Sequence, residues 1–306
     1  MHHEVITVSK KQNKKPGKKR KFTSLLTASL ISLPPLTLYI LEFRSDIVSQ
    51  LSSRVYELKI GRKFGPDRRE KATKQEQFSS PVVRIYVTHK NSEVLNLCTA
   101  AAVAKYVFVT AAHCLKGNVD QIILDRGEYL PGQMTTFATT DQYEIHKQYD
   151  GNINNDIALI FTGNPDDRPV NRWFKVDVFP IKQAETLELK TQGFPFDKKG
   201  TMWKATYKGF QTGRSNKYLS SPGVTFEGQS GSPIFAPKTE MRDNGYIDGT
   251  IFGVLTGYVE NPKKKGEGYT SFEPFDRKDV IWINNLTRDH ETKIKNRYPE
   301  LAKYRE

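Results

Sequence analysis

The sequence predicts an all-β protein, built as a sandwich or as a pair of barrels, with one helix at the end of the folded body. Three observations carry that prediction. From Pro81 onward, short apolar or alternating runs recur at strand length. Turn signals such as Gly163-Asn164-Pro165, Gly193-Phe194-Pro195 and Asp243-Asn244-Gly245 separate them. No long helical stretch lies between the runs, which excludes a βαβ arrangement. The 306 residues suffice for one large domain or two modest ones. With 37% hydrophobic and 26% charged residues, collagen, coiled coil, wholesale disorder and a multi-span membrane protein are excluded.

The first element is a basic tail, residues 1–21. Its eight Lys/Arg face Glu4 alone, so +7 of the formal net charge of +13 sits there. Phe22 to Leu41 follow, twenty residues without a charge. That length matches a ~30 Å hydrocarbon core and exceeds a usual signal-peptide core. Lys and Arg on the N-terminal side hold that side in the cytoplasm and send the rest of the chain outward. Residues 22–43 are therefore read as a signal anchor or a long signal peptide. No clean Ala-x-Ala cleavage site follows, and Pro34-Pro35 interrupts the run. The basic charge abuts an apolar span and does not interleave with aromatics in a folded domain, so no nucleic-acid partner is expected. Residues 44–80, rich in Lys, Arg, Gln, Ser and Glu, read as a connector or propeptide. Arg68-Arg69 and Lys71 look exposed there and open to nicking.

The strand-like runs of the body are Val82–Val87, Leu95–Val103, Tyr106–Ala111, Gln121–Leu124, Ile157–Phe161, Leu187–Thr191, Met202–Tyr207, Pro233–Phe235 and Thr250–Leu255. Asp276 can cap a final helix whose apolar face would use Val280, Ile281 and Ile283. The body is expected to span 81–288, with a polar tail over 289–306.

Chemistry enters through four features. Cys98 and Cys114 are the two cysteines. In an exported body they suit a disulfide, worth about 3 kcal/mol for a loop of this length in the chain-entropy model. Zinc would need further ligands, so no metal is expected. Among six histidines, His113 stands apart, at a strand end among small neighbours in Val109-Thr110-Ala111-Ala112-His113-Cys114. Small residues leave room around an imidazole that must reach a nucleophile. Asp156 opens the apolar run Asn155-Asp156-Ile157-Ala158-Leu159-Ile160. A carboxylate there can orient a histidine, although an Asx turn is the ordinary use of such a residue. Ser230 lies in Gly228-Gln229-Ser230-Gly231-Ser232-Pro233. Its flanking glycines permit a tight turn with amides aimed at a developing oxyanion. Each signal alone is weak. The order His, Asp, Ser in an all-β chain is a strong combination.

On these three segments the sequence resembles the chymotrypsin-like serine peptidases, and within them the bacterial glutamyl-endopeptidase branch. Gln192-Gly193-Phe194-Pro195 followed by Met202-Trp203 is similar to that branch's Gly-Tyr-Pro…Met-Trp segment. The resemblance covers about residues 82–288. It implies two six-stranded antiparallel β-barrels, His113 and Asp156 on the first and Ser230 on the second, with a histidine-loop disulfide Cys98–Cys114. It also implies an oxyanion hole from the amides of Gly228 and Ser230, a polypeptide substrate and no cofactor. A monomer is expected, placed by the N-terminal charge pattern outside the cell or held at its membrane through 22–43. The competing reading is a catalytically inactive relative that binds a surface partner through the same scaffold.

Two departures matter. Gln229 stands where trypsin-like relatives usually carry an aspartate that pairs with a cleaved amino terminus, so that kind of activation is not expected. Relatives that cut after glutamate pair a threonine with a histidine. Thr225 matches the threonine, but Leu255 in Gly253-Val254-Leu255-Thr256-Gly257 takes the histidine's place. Val224 adds no charge beside Thr225. A pocket of Val224, Thr225 and Leu255 predicts preference for neutral, modest-sized residues, because a carboxylate desolvated without a partner is costly.

Overall fold

The computed structural model describes residues 67–299, except 93–94, 129–133, 152–153, 165–166, 168–169, 199, 213–218, 223–224, 243–244 and 261–267. Residues 1–66, with the hydrophobic run and most of the expected connector, lie outside the described residues, as does Val224. Among the described residues no helix is long and apolar enough to cross a membrane.

The folded body starts before Pro81. Strand β1 (Glu70–Lys71) is followed by helix α1 (Lys74–Ser79). Thr73 caps this helix in a reciprocal box with Glu76, a signal hidden inside a polar stretch. The first sheet follows, from β2 (Val82–His89), β3 (Leu95–Ala104), β4 (Val107–Thr110), β5 (Val119–Glu128), β6 (Met134–Thr140), β7 (Tyr143–Ile145) and β8 (Ala158–Phe161). Its seven strands run in the order β6-β5-β2-β3-β4-β8-β7, all antiparallel.

The second sheet uses β9 (Arg172–Val176), β10 (Glu188–Gly193), β11 (Trp203–Lys208), β12 (Gln211–Thr212), β13 (Leu219–Pro222), β14 (Pro233–Arg242), β15 (Gly245–Glu260) and β16 (Gly268–Pro274). With β1 on the edge against β11, it has nine strands, and only the β9–β15 pair is parallel. Two curled antiparallel half-barrels with a C-terminal helix make up the chymotrypsin fold. The strand counts exceed six per sheet because two- to five-residue pieces such as β1, β9 and β12 add to the edges.

Three apolar clusters explain the run lengths. Ala100 and Ala102 of β3 face the core of the first sheet with Ile85, Phe108 and Ile122. Their neighbours Ala101 and Val103 face the other way, into a layer shared with Phe174, Phe235, Ile251 and Val254 of the second sheet. A strand buried on both faces reads as one continuous apolar run. The second sheet closes over Phe179, Leu189, Tyr207, Phe210, Ile234 and Phe272.

Helix α2 (Arg277–Arg297) starts where the cap residue predicts, with Asp276 bonded to the amides of Lys278 and Asp279. It runs past residue 288 through much of the expected tail. Val280 and Ile283 pack into the shared layer, but Ile281 is exposed. At 3.6 residues per turn, position 281 turns away from a face set by 280, 283 and Leu286.

Candidate active site

The antiparallel pair β4–β8 creates the first half of the site. Thr110 lies opposite Ala158, so the chain leaving β4 and the chain entering β8 stay close together. Leaving β4, Ala111 and Ala112 are fully buried, and a short 3-10 turn over Ala112–Leu115 swings His113 outward. Entering β8, Asn155 takes a left-handed φ of 53° and brings Asp156 underneath. The backbone N–H of His113 donates to Asp156 Oδ1 at 2.8 Å. The ring Nδ1 lies 2.6 Å from Oδ2. A carboxylate only accepts, so Nδ1–H is the donor, and in the neutral imidazole this leaves the lone pair on Nε2. The Asp156 side chain is 3% exposed and that of His113 22%, so the ring reaches solvent while its orienting group does not.

Cys98 and Cys114 form a disulfide, with Cα atoms 6.3 Å apart. It ties β3 to the residue after His113. The two sulfurs lie close to the His113 ring nitrogens, but the disulfide consumes both and leaves no metal-ligating set there.

The second half is the turn before β14. Gly228 (φ 88°) and Gly231 (φ 83°) both take the left-handed conformation. A Cβ on Gly228 would lie 2.4 Å from the Phe194 carbonyl oxygen. One on Gly231 would lie 2.1 Å from the Thr99 carbonyl oxygen and 3.0 Å from the Ala111 amide nitrogen. The serine turn is thus pressed directly against the start of the His113 turn, and only glycine fits. Thr99 of β3 completes the join. Its amide donates to the Ser230 carbonyl at 2.8 Å and its hydroxyl to the Gly228 carbonyl at 2.7 Å.

With those carbonyls engaged, the amides of Gln229, Gly231 and Ser232 bond to Phe226, Leu255 and Gln229 carbonyls. The amides of Gly228 and Ser230 bond to no described residue. Ser230 Oγ likewise has no hydrogen bond to a described residue, His113 included. Leu255 brackets the turn through its backbone, accepting from Gly231 N–H and donating to the Ser232 carbonyl. Its side chain, 1% exposed, belongs to the apolar cluster under the second sheet. Thr225 is buried, and its Oγ1 has no hydrogen-bond partner among the described residues.

The family model described as Trypsin matches residues 70–278. The chain belongs to the trypsin family. Solved structures agree on the fold. The protease Anisep from Arthrobacter nicotinovorans is 18% identical, with a TM-score of 0.51 over 67% of this chain and 93% of that one. A Glu endopeptidase, solved in complex with MPD, is 17% identical, with a TM-score of 0.52 over 73% and 98%. HL collagenase is 11% identical, with a TM-score of 0.50 over 73% and 98%. No curated protein matches the sequence.

Two buried charged residues beside the candidate site escaped the sequence reading. Arg69, expected to be exposed, has a side chain that is only 1% exposed. Glu273 of β16 is 5% exposed and receives the backbone N–H groups of Asn155 and Asp156 on its carboxyl. Burial, with smaller contributions from Asp279 and Asp156, pushes its pKa up to about 9. Neutral Glu273 can thus support the Asp156 turn without setting a second negative charge behind it. Nothing in Ser271-Phe272-Glu273-Pro274 advertises this, because the partner is more than a hundred residues away.

Of the other described histidines, His89 accepts the Asn96 side-chain amide at 3.0 Å on its Nε2. His146 stacks edge-on against Trp282, with ring centroids 4.9 Å apart, and His290 bonds the Thr162 carbonyl at 2.7 Å.

Glu273 makes a pH prediction. Its ordinary pKa is 4.5 and its folded value about 9. Between these the folded chain keeps a proton that the unfolded chain releases, so stability falls as pH rises, by at most ~1.4 kcal/mol per unit. Glu273→Gln keeps the acceptor oxygen and removes the titration. Urea midpoints measured at pH 5 and pH 8 should fall in the wild type and change less in the variant. Parallel profiles would show that Glu273 carries no such proton.

Proposed function

We propose that this trypsin-family chain is an exported serine endopeptidase that cuts peptide bonds through an acyl-enzyme. The observation that carries the reading is the His113–Asp156 pair at 2.6 Å, held on strands pressed against the Ser230 turn. Ser230 Oγ attacks the scissile carbonyl while His113 Nε2 takes its proton. Asp156 keeps that nitrogen basic by holding the proton on Nδ1, and it stabilises the imidazolium once formed. The carbonyl oxygen becomes an oxyanion and moves to the unengaged amides of Gly228 and Ser230. One such donor is worth about 3–4 kcal/mol in the transition state. His113 then protonates the leaving amine, and water, activated by the same nitrogen, frees the acyl group. Side chains and water complete the cycle.

The resemblance of Thr-Gln-Gly-Phe-Pro and Met-Trp supports placement near the glutamyl-endopeptidases, but the specificity reading departs from them. Leu255, standing where those relatives carry the histidine, supplies no charge or donor for a substrate carboxylate, and its side chain packs into the apolar cluster under the second sheet. Thr225 offers one buried hydroxyl and no charge. A neutral, modest-sized side chain before the scissile bond suits this chemistry. Export rests on the charge asymmetry around residues 22–43 and accords with the Cys98–Cys114 disulfide.

Three measurements test the proposal. Ser230→Ala should abolish fluorophosphonate labelling and peptide hydrolysis with the fold retained. Adding His113→Ala should cost little more, since such residues act as a unit. Turnover near wild type in Ser230→Ala would sink the assignment. Matched peptides with Glu, Gln, Leu or Arg before the scissile bond should favour the neutral residues. A Glu-over-Gln preference beyond about a hundredfold, roughly 2.7 kcal/mol, would reveal a charge partner in the pocket. A tag after residue 306 should be reachable from outside intact cells. Tags at both ends confined to the cytoplasm would overturn export.

A further inference from the structure

Arg69 lies far from Ser230 in sequence, yet its guanidinium grips the structure around the serine turn. Arg69 Nη1 and Nη2 donate to the two Asp197 oxygens at 3.0 and 2.7 Å, while Nε and Nη2 donate to Asp67 at 2.9 Å each. The guanidinium sits 4.4 Å from the centroid of the Phe226 ring, and Nη1 lies 3.5 Å from Gln229 Oε1. That amide oxygen also accepts the Phe226 N–H at 3.0 Å, and the Gln229 N–H returns to the Phe226 carbonyl at 3.1 Å. Phe226 and Gln229 are therefore clamped together, and Gly228 lies between them.

Asp197 holds the opposite wall. Its turn, Phe196–Lys198, is joined to the serine turn through the Phe196 N–H and the Glu227 carbonyl at 2.8 Å. Gly228 packs directly on Phe194 and Phe196 backbone. One side chain thus bonds both the loop behind the turn and the residue beside the serine.

A buried arginine is retained only when its charge is matched. Asp67 and Asp197 match it, and Lys198 Nζ, 3.3 Å from Asp67, completes a cluster of two cations and two carboxylates. Burial acts to lower the Arg69 pKa, but the bonds to Asp67 and Asp197 outweigh it and raise the value. The cation is permanent at any pH at which the fold persists.

Resting on the peptidase reading above, we propose that Arg69 is a positioning residue for peptide hydrolysis: it locks the Phe226–Ser230 turn so that the Gly228 and Ser230 amides face one point. The charge is a side chain with chain on both sides, anchored by the Glu70–Lys204 and Lys71–Trp203 pairs of β1 and β11. This ordering therefore needs no free amino group and no cut near residue 69.

The test compares full-length wild type, Arg69→Gln, Arg69→Lys and the control Arg172→Gln, which breaks a distant ion pair with Asp248. Amide hydrogen exchange over 226–232 should quicken about tenfold or more in Arg69→Gln while the β2–β5 ladder is unchanged. Its kcat should fall roughly a hundredfold, with KM within about threefold, the pattern for loss of a transition-state interaction. Arg69→Lys keeps the charge but not the planar fork and should fall between. Arg172→Gln should show neither effect. If Arg69→Gln does not fold, Arg69→Lys and Asp197→Asn carry the comparison. Exchange over 226–232 equal to wild type in a folded variant, or KM rising with kcat unchanged, overturns the proposal. A wild type inert to a fluorophosphonate overturns the peptidase reading instead, and the exchange comparison still decides whether Arg69 sets the turn.

Discussion

Thr99 is the junction on which both halves of the site depend. It is fully buried, and every polar group it offers crosses to another element. Its amide and hydroxyl hold the Ser230 and Gly228 carbonyls, its hydroxyl accepts the Phe194 N–H at 3.1 Å, and its carbonyl accepts the Thr110 hydroxyl at 2.7 Å. Phe194, Gly228 and Ser230 belong to the second half of the chain, Thr110 to β4 beside His113. Buried backbone groups must find partners, so neither half can shift without leaving several unsatisfied. The disulfide from the adjacent Cys98 to Cys114 adds a covalent tie to the same point. The His113 turn and the Ser230 turn are thus referred to one residue of β3, although they come from different sheets.

Charge follows a matching rule. Under His113 lies the buried carboxylate of Asp156, with the His113 amide and ring as its donors. Behind it the fold places Glu273, whose burial makes it neutral at ordinary pH and so removes the repulsion a second carboxylate would add. Beside the serine turn the fold does the reverse. It buries the permanent cation Arg69 and surrounds it with Asp67 and Asp197. One side of the site is stabilised by suppressing a charge, the other by pairing one.

Much of this was legible in the sequence for a physical reason. Strands buried on both faces, such as β3 and β4, announce themselves by continuous apolar runs, and the glycines of the serine turn announce themselves because no other residue fits. The strands that were not legible are polar or lie at edges. Met134–Thr140 is rich in threonine, β12 and β13 are short, and β9 pairs in parallel with β15, a partner more than seventy residues on. Residues 67–80 read as connector because their helix is secured by a capping box and, Ala72 apart, their buried residues Arg69, Gln77 and Ser80 are polar.

The sequence by itself determined the all-β class, the pair of cysteines, the candidate residues His113, Asp156 and Ser230, and the neutral character of Thr225 and Leu255. These follow from local periodicity, from glycine's conformational range and from the chemistry each side chain carries wherever it lies. Only the tertiary structure decided that Thr99 joins the halves, that Glu273 backs Asp156, and that Arg69 is buried against Gln229. Threonine, glutamate and arginine are usually surface residues, and only the groups folded around them from distant parts of the chain supply the hydrogen bonds and counter-charges that make their burial possible.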